Sequence, residues 1–263
     1  METKMFAWSI AARALRSATV VVLLVVGVSP AGATEIRLLS AAAMQSVFKE
    51  IAGDFERASG HKLTIAYGTI GGVTQRVLGG ESADVIIGST LSMPVLVREG
   101  KIDPASQMTI CKTGIGIVVP SSTQELRVES VEDFKRALVA AKVVVYSDPV
   151  RGGAAGVHIG RVLQDLGIAE QLKASIKLGA GGDVTEVMLA QGDGALGMTQ
   201  ASEIVGKPGA KLVALPDELQ NYTVFVAGTP TGTSQSEAVG AFIEFLKSPT
   251  TADAIRAKGM QPY

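Results

Sequence analysis

Cysteine, histidine and tryptophan are almost missing from this chain of 263 residues, which has one Cys, two His and one Trp. A single Cys excludes a disulfide framework and a thiolate metal cluster. Two isolated histidines leave little for a zinc site, so no metal is expected. An excess of charge of one sign is missing too. Lys and Arg number 24 against 25 Asp and Glu, a formal net charge of −1. With no basic run, nucleic acid is excluded as a dominant partner. No Walker-type loop and no well-placed GxGxxG occurs, so no nucleotide cofactor is implied. Gly179-Ala180-Gly181-Gly182 is Gly-rich but lacks the fingerprint spacing, and is expected to be a turn into a helix. Repeats of 20–50 residues and low-complexity linkers are also absent. What is present is apolar: 47% of the residues are hydrophobic. That is enough for one large domain or two small lobes, and too much for disorder.

The first 33 residues form an export address. Lys4, Arg13 and Arg16 give a positive start, residues 20–28 are nine apolar residues, and Ala31-Gly32-Ala33 supplies a small-x-small cleavage site. The run is shorter than the ~20 residues of a membrane span. Cleavage after Ala33 leaves an exported chain with 21 basic and 24 acidic residues and without Trp8.

Strand and helix patterns then alternate. Residues 35–40, 62–67, 83–87, 110–119, 142–146, 196–199, 211–215 and 222–226 are expected strands. Met44, Phe48, Ile51 and Phe55 recur at i, i+4, i+7 and i+11, one apolar stripe of a helix that stops near Gly60. Further helices are expected from Gly71-Gly72 through Val77, around Val95, from Val131 with Ser130 as its cap, over 154–166 and 183–190, and through the last quarter. This order argues an α/β fold with helices on both faces of its sheets. Two βαβαβ units separated by long strands give two lobes, with ligand expected in the cleft beyond the strand ends.

Four segments share one design: a strand, small residues, then a helix. They are Ser40-Ala41-Ala42-Ala43-Met44, Gly68-Thr69-Ile70-Gly71-Gly72, Gly152-Gly153-Ala154-Ala155-Gly156 and Gly181-Gly182-Asp183-Val184. Small side chains bare the N–H groups of a positive helix end, an anion-binding arrangement that needs no lysine. Any one of them is also ordinary α/β turn chemistry. Four together point to an anion held in the cleft.

Residues 39–51 (LSAAAMQSVFKEI), Tyr67-Gly68 with Gln75-Arg76, and residues 82–87 (SADVII) resemble the N-terminal third of periplasmic molybdate-binding proteins. Ser147-Asp148-Pro149, Ala155-Gly156, residues 192–197 (GDGALG) and Ser248-Pro249 extend the resemblance over the whole mature chain. It implies the two-lobed periplasmic binding protein fold: a mixed sheet flanked by helices in each lobe, with a ligand cleft between them. Residues 34–114 with 228–263 would form lobe 1, and residues 115–227 lobe 2. The family holds a tetrahedral oxyanion with two serine hydroxyls, backbone amides and a tyrosine hydroxyl. Here the first serine position is Ala43, the second is Ile70 beside Thr69, and the tyrosine position is Gln200, with Ala155 and Val184 matching the amide donors. Ser40, Thr69 and Gln200 are candidates to rebuild the lost donors. Each oxygen left unpaired in a desolvated site costs about 1–3 kcal/mol.

Arg151 is an addition at the mouth of the second-lobe site. It is either a bidentate carboxylate clamp or a solvated loop residue. His158 reaches the cleft or sits at the core edge. His61 is expected to be a solvated capping residue and Cys111 a core residue, while Asp84 and Asp148 fit caps and turns. The direction of Arg76 is open.

Two functions follow from the resemblance. One is a periplasmic, monomeric substrate-binding protein of an ABC importer. It would pass a small anion, a molybdate-type oxyanion or a small di- or tricarboxylate, to an inner-membrane permease without chemistry or cofactor. The other is an aconitate isomerase-like enzyme shifting a proton on a tricarboxylate, a branch that Asn221-Tyr222-Thr223 and Gly259-Met260 resemble. There His158 would be the base and Arg151 a clamp, with Glu203 and Asp183 as weaker bases.

Overall fold

The computed structural model describes residues 33–232 and 237–263. Of the export signal expected over residues 1–33, residues 1–32 lie outside the described residues. In chain order the elements are β1 (Glu35–Ala41), α1 (Gln45–Ser59), β2 (Lys62–Gly68), α2 (Ile70–Leu78), β3 (Val85–Ser89), α3 (Met93–Arg98), β4 (Met108–Pro120), α4 (Val131–Ala140), β5 (Val143–Ser147), α5 (Ala154–Asp165), α6 (Ala169–Leu172), β6 (Ile176–Gly179), α7 (Val184–Leu189), β7 (Ala195–Gln200), β8 (Ala210–Ala214), β9 (Tyr222–Gly228), α8 (Glu237–Leu246), α9 (Pro249–Ala257) and β10 (Gln261–Pro262).

The strands run in the order β2-β1-β3-β9-β4-β7-β5-β6, with β8 and β10 also paired to β4. Two parallel blocks, β2-β1-β3 and β7-β5-β6, are joined by the antiparallel strands β9 and β4. The thirteen-residue β4 serves both blocks. Met108 to Gly114 pair with β9, and from Ile115 onwards the strand pairs with β7 and β8.

Sequence pattern explains the cores. The stripe of α1 buries Val47, Phe48, Ile51 and Phe55 against Cys111, Phe225 and α8. Phe242 meets Phe55 edge-on at 5.2 Å and Phe48 at 6.3 Å. Each such ring contributes about 1.5–3 kcal/mol of burial, with a further increment for the edge-to-face pair. A second core gathers Ile117, Phe134, Tyr146, Ile159, Leu163 and Met198 around β4 and β5. Two smaller clusters, around Val73 and Met93 and around Val145 and Met188, bury further residues of the two parallel blocks. Strands buried this way carry the continuous apolar runs seen in the sequence. Strand β9 pairs with β3, and its Phe225 and Ala227 lie in the first core, although the sequence pattern groups residues 115–227 together.

Ser130 caps α4 as expected, accepting from Asp133 N–H at 3.1 Å. Cys111 is fully buried, and burial pushes its thiol up to about 12. His61 corrects its expectation. Gly60 takes the left-handed conformation (φ 74°) and turns the chain back beside β1, so His61 is buried and its Nδ1 accepts from Thr34 N–H at 3.3 Å. Strand β6 and helix α6 were not expected. Strand β6 has four residues, only its last buried, so it carries no alternation. Among the described residues no helix is long and apolar enough to cross a membrane.

Candidate functional site

Strands β1, β2 and β5 and the turn after β6 all end at one place. The helix starts that follow surround a cavity of about 30 Å³. Ala41, Ala42 and Ala43 contribute one wall, Gly68, Thr69 and Ile70 a second, Gly153, Ala154 and Ala155 a third, and Gly181 and Gly182 a fourth. Ala41 precedes the 3₁₀ turn Ala42–Met44 that runs into α1, and Gly153 precedes α5; neither position offers a side-chain cap. The first N–H groups of the Ala42–Met44 turn and of α5 therefore have no side-chain acceptor, at the end where the helix dipole favours negative charge, whereas Gln45 N–H, the first of α1, already donates to Ala42 O. The fourth wall differs. Asp183 accepts from Gly181 N–H at 2.9 Å and Ala180 N–H at 3.1 Å, so these amides are already engaged.

Beside the cavity the two parallel blocks meet in a backbone contact. Gly71 N–H donates to Gly152 O at 3.0 Å. A Cβ on Gly71 would lie 2.8 Å from Gly152 Cα, so only glycine permits this approach. Gly152 itself has φ +69°, where a side chain is strained. Thr69 Oγ1 donates to Arg151 O across the same seam while accepting from Gly72 N–H at 2.9 Å. On the far side Ser46 Oγ donates to Ser202 O at 3.1 Å.

Five of the eight expected binding residues line this cavity: Ala43, Thr69, Ile70, Ala155 and Gln200. Three do not. Ser40 is buried and its hydroxyl donates to Ala41 O at 3.2 Å. Val184 is fully buried in the cluster with Met188. Arg151 lies exposed on an outer groove shared with Tyr67, Gln75 and Arg76, and only its carbonyl reaches the seam. Thr69 lines the cavity, but both hydrogen-bonding functions of its hydroxyl are used elsewhere. His158 faces away. Its Nε2 lies 2.8 Å from Leu219 O, and it lines a separate groove with Tyr222 and Arg161. The direction of Arg76 is settled by a two-point ion pair with Glu81, with Nε to Oε2 at 2.6 Å.

Gln200 and Glu203 bring the polar chemistry. Gln200 is buried, with Nε2 assigned as donor to Thr223 Oγ1 at 2.9 Å and Oε1 left without a partner. Glu203 sits on the turn after β7. One carboxylate oxygen accepts from Thr199 Oγ1, and Thr185 Oγ1 donates to its backbone carbonyl at 2.9 Å. Burial pushes its carboxyl up to about 7, with Glu186 and Asp183 adding to the rise and Thr199 and Lys207 opposing it.

Ser147, at the end of β5, also lines the cavity, and the sequence reading missed it as a site residue. Its Oγ lies where a Cβ on Gly153 or Gly156 would come within 2.8 or 2.6 Å. Its place at the carboxyl end of a buried parallel strand was the available signal. Among the described residues no three His, Cys, Asp or Glu are grouped to hold a metal ion.

A family model described as bacterial extracellular solute-binding protein matches residues 36–261. The chain is 28% identical over 236 residues to an aconitate isomerase of a Pseudomonas species, covering 87% of this chain and 88% of that protein. It is also 28% identical over 256 residues to a molybdate-binding protein of Rhodobacter capsulatus, covering 93% and 96%. The periplasmic molybdate-binding protein of Azotobacter vinelandii superposes with a TM-score of 0.70 at 20% identity, over 86% of this chain and 98% of that one. The fold is therefore that of the two-lobed periplasmic binding proteins, and the chain belongs to the bacterial extracellular solute-binding protein family.

Proposed function

We propose that the protein is the anion-binding component of an ABC importer. In this reading it works in the periplasm as a monomer after removal of residues 1–33, and it delivers a small oxyanion to an inner-membrane permease. The observation that carries it is the small cavity walled by two helical starts without side-chain caps, Ala41 to Ala43 and Gly153 to Ala155. Such a cavity offers amide donors and dipole ends without a cation, which suits an anion that must later be released. A cavity needs about 10–15 Å³ to hold one water, so about 30 Å³ suits a compact anion and not a tricarboxylate. The molybdate-binding relatives support the same ligand class.

We infer that lobe 1 comprises 34–114 with a C-terminal segment that starts just before Tyr222 and not at 228 as the sequence suggests, and that lobe 2 is the chain between. The change of pairing partner on β4 after Gly114 supports the first crossing. The membership of Phe225 and Ala227 in the first core favours a second crossing just before Tyr222. Closure of the lobes over the anion is the signal to the permease.

The aconitate isomerase relative favours a second reading, a cofactor-free proton shift on a tricarboxylate. In it Glu203 replaces His158 as the acid–base group, because His158 is turned to Leu219. Arg151 then grips a carboxylate from the mouth in a wider arrangement of the lobes.

Thermal unfolding with molybdate, sulfate, phosphate and cis- and trans-aconitate separates the two. A ligand at a hundred times its Kd adds about 2.7 kcal/mol, a rise of about 5–10 °C for a chain of this size. A rise with tetrahedral oxyanions alone supports the importer component. A rise with aconitate alone overturns it and directs the test to isomerisation.

A further inference from the structure

Anion sites built from backbone amides normally exclude carboxylates, because two negative charges in a desolvated space repel. Here Glu203 lines the cavity together with Gln200, whose buried Oε1 has no partner. Glu203 brings a carboxyl to the cavity lining, and an amide-built site for a fully deprotonated dianion has no use for it. An acceptor facing a ligand calls for a donor on that ligand.

We propose that Glu203 is a specificity-determining residue that makes the cavity a site for an anion together with one proton. The favoured ligand is a small oxyanion that keeps one O–H at neutral pH, as hydrogen phosphate does. That hydroxyl donates to the Glu203 carboxylate in a charge-assisted bond. Sulfate and molybdate bring no proton, so for them Glu203 supplies it and donates to the anion instead. In either case one hydrogen lies between ligand and side chain.

The surroundings of Glu203 fit this role. From the turn itself Ser202 leaves a buried, unpartnered hydroxyl. From β7, Thr199 donates to one carboxylate oxygen. From α7 and the residue before it, Glu186 and Asp183 face the group. Asp183 is engaged by the amides of residues 180 and 181, and Glu186 is paired with Lys207. From α1, Lys49 shares with Lys207 the outer groove of about 210 Å³ that Glu203 also lines. Neither lysine pairs with the Glu203 carboxyl, whose proton-holding form burial favours near neutrality.

The inference rests on the anion-binding reading, and the test separates the two. Titration calorimetry of the protein with sodium phosphate, sulfate and molybdate at pH 6, 7, 8 and 9 reads it directly. Above pH 7 affinity for sulfate and molybdate is expected to fall about tenfold per pH unit, while hydrogen phosphate holds its affinity. In Glu203→Gln, which donates at every pH, the divergence is expected to disappear. A constant ratio of phosphate to sulfate affinity in the wild type, or the same divergence in Glu203→Gln, overturns the role of Glu203 and leaves anion binding standing. Binding of none of the three anions at any pH overturns both.

A ligand-free measurement checks the group independently. A carboxyl raised from 4.5 to about 7 holds its proton more tightly in the folded chain. Unfolding stability should then decline as pH rises from about 4.5 to about 7, with that slope absent in Glu203→Gln. Equal slopes in the two proteins contradict a proton-holding Glu203.

Discussion

Replacing Gly71 by alanine should weaken anion binding while leaving the unliganded protein as stable as before, or slightly more so. Gly71 lies in the first turn of α2, where it has no positive φ and alanine is the better helix former by up to about 1 kcal/mol. Within its own lobe, therefore, the change is benign. In the closed arrangement the new Cβ lies 2.8 Å from Gly152 Cα, 3.2 Å from Arg151 O and 3.3 Å from Gly152 O. Ordinary carbon contacts need about 3.5–4.0 Å. All three neighbours are backbone, so relief requires the blocks to part by several tenths of an ångström. That parting stretches the 3.0 Å bond from Gly71 N–H to Gly152 O. Overpacking of this kind costs about 1–3 kcal/mol. If closure is part of binding, the cost appears wholly in affinity, a loss of about 5- to 150-fold. Gly240→Ala on α8, which meets nothing within 4 Å, controls for helix propensity alone. Calorimetry against the best anion of the thermal panel reads affinity, and a thermal melt without ligand reads stability. Unchanged affinity in Gly71→Ala would refute a role for the Gly71–Gly152 seam in holding the anion.

Other expectations follow from the same geometry. Ser147→Ala removes a hydroxyl at the cavity wall and should weaken anion binding about 10- to 100-fold in calorimetry, the range for a hydrogen bond to a charged group, with little change in melting. His158→Ala should leave oxyanion affinity within about twofold and lower the melting temperature, because the ring serves Leu219 O; a large loss of affinity would return His158 to the site. Phe242→Ala empties the centre of the Phe48–Phe55–Phe242 cluster and should cost about 3–5 kcal/mol in denaturant unfolding, while a cost under 1 kcal/mol would mean the first core collapses around the gap.

The convergence of helix starts was legible in the sequence because it is written in residue size. Runs such as Ala41-Ala42-Ala43 and Gly152-Gly153-Ala154 follow apolar strands, and strand ends in such sheets point to one place. Hydroxyl direction is not written that way. Ser40 and Thr69 sit in the right segments, yet Ser40 bonds to the neighbouring carbonyl and Thr69 is spent on its own helix cap and on the seam. Val184 follows a strand end as Ala155 does, but its side chain is packed into the cluster with Met188 and it does not line the cavity. The polar end of the site was hardest to see. Glu203 and Gln200 are three residues apart on a strand end and a turn, a spacing with no motif. Only the fold, which brings the ends of α1 and α7 beside them, holds the carboxyl of half-buried Glu203 above its usual range and leaves Gln200 with a free acceptor. His158 shows the converse, a residue of suitable chemistry on a suitable helix whose ring is claimed by the chain at residue 219.

Crystals grown with tungstate near pH 6 and measured at the tungsten edge would show where the anion sits, because the ion reports its own position. One strong anomalous peak is expected in the cavity between Ala43, Ile70, Ala155 and Gln200, with its oxygens on the amides of the turn before α1 and of the start of α5. A peak only at the outer groove beside Arg76 and Arg151, or an empty cavity at millimolar tungstate, would contradict it.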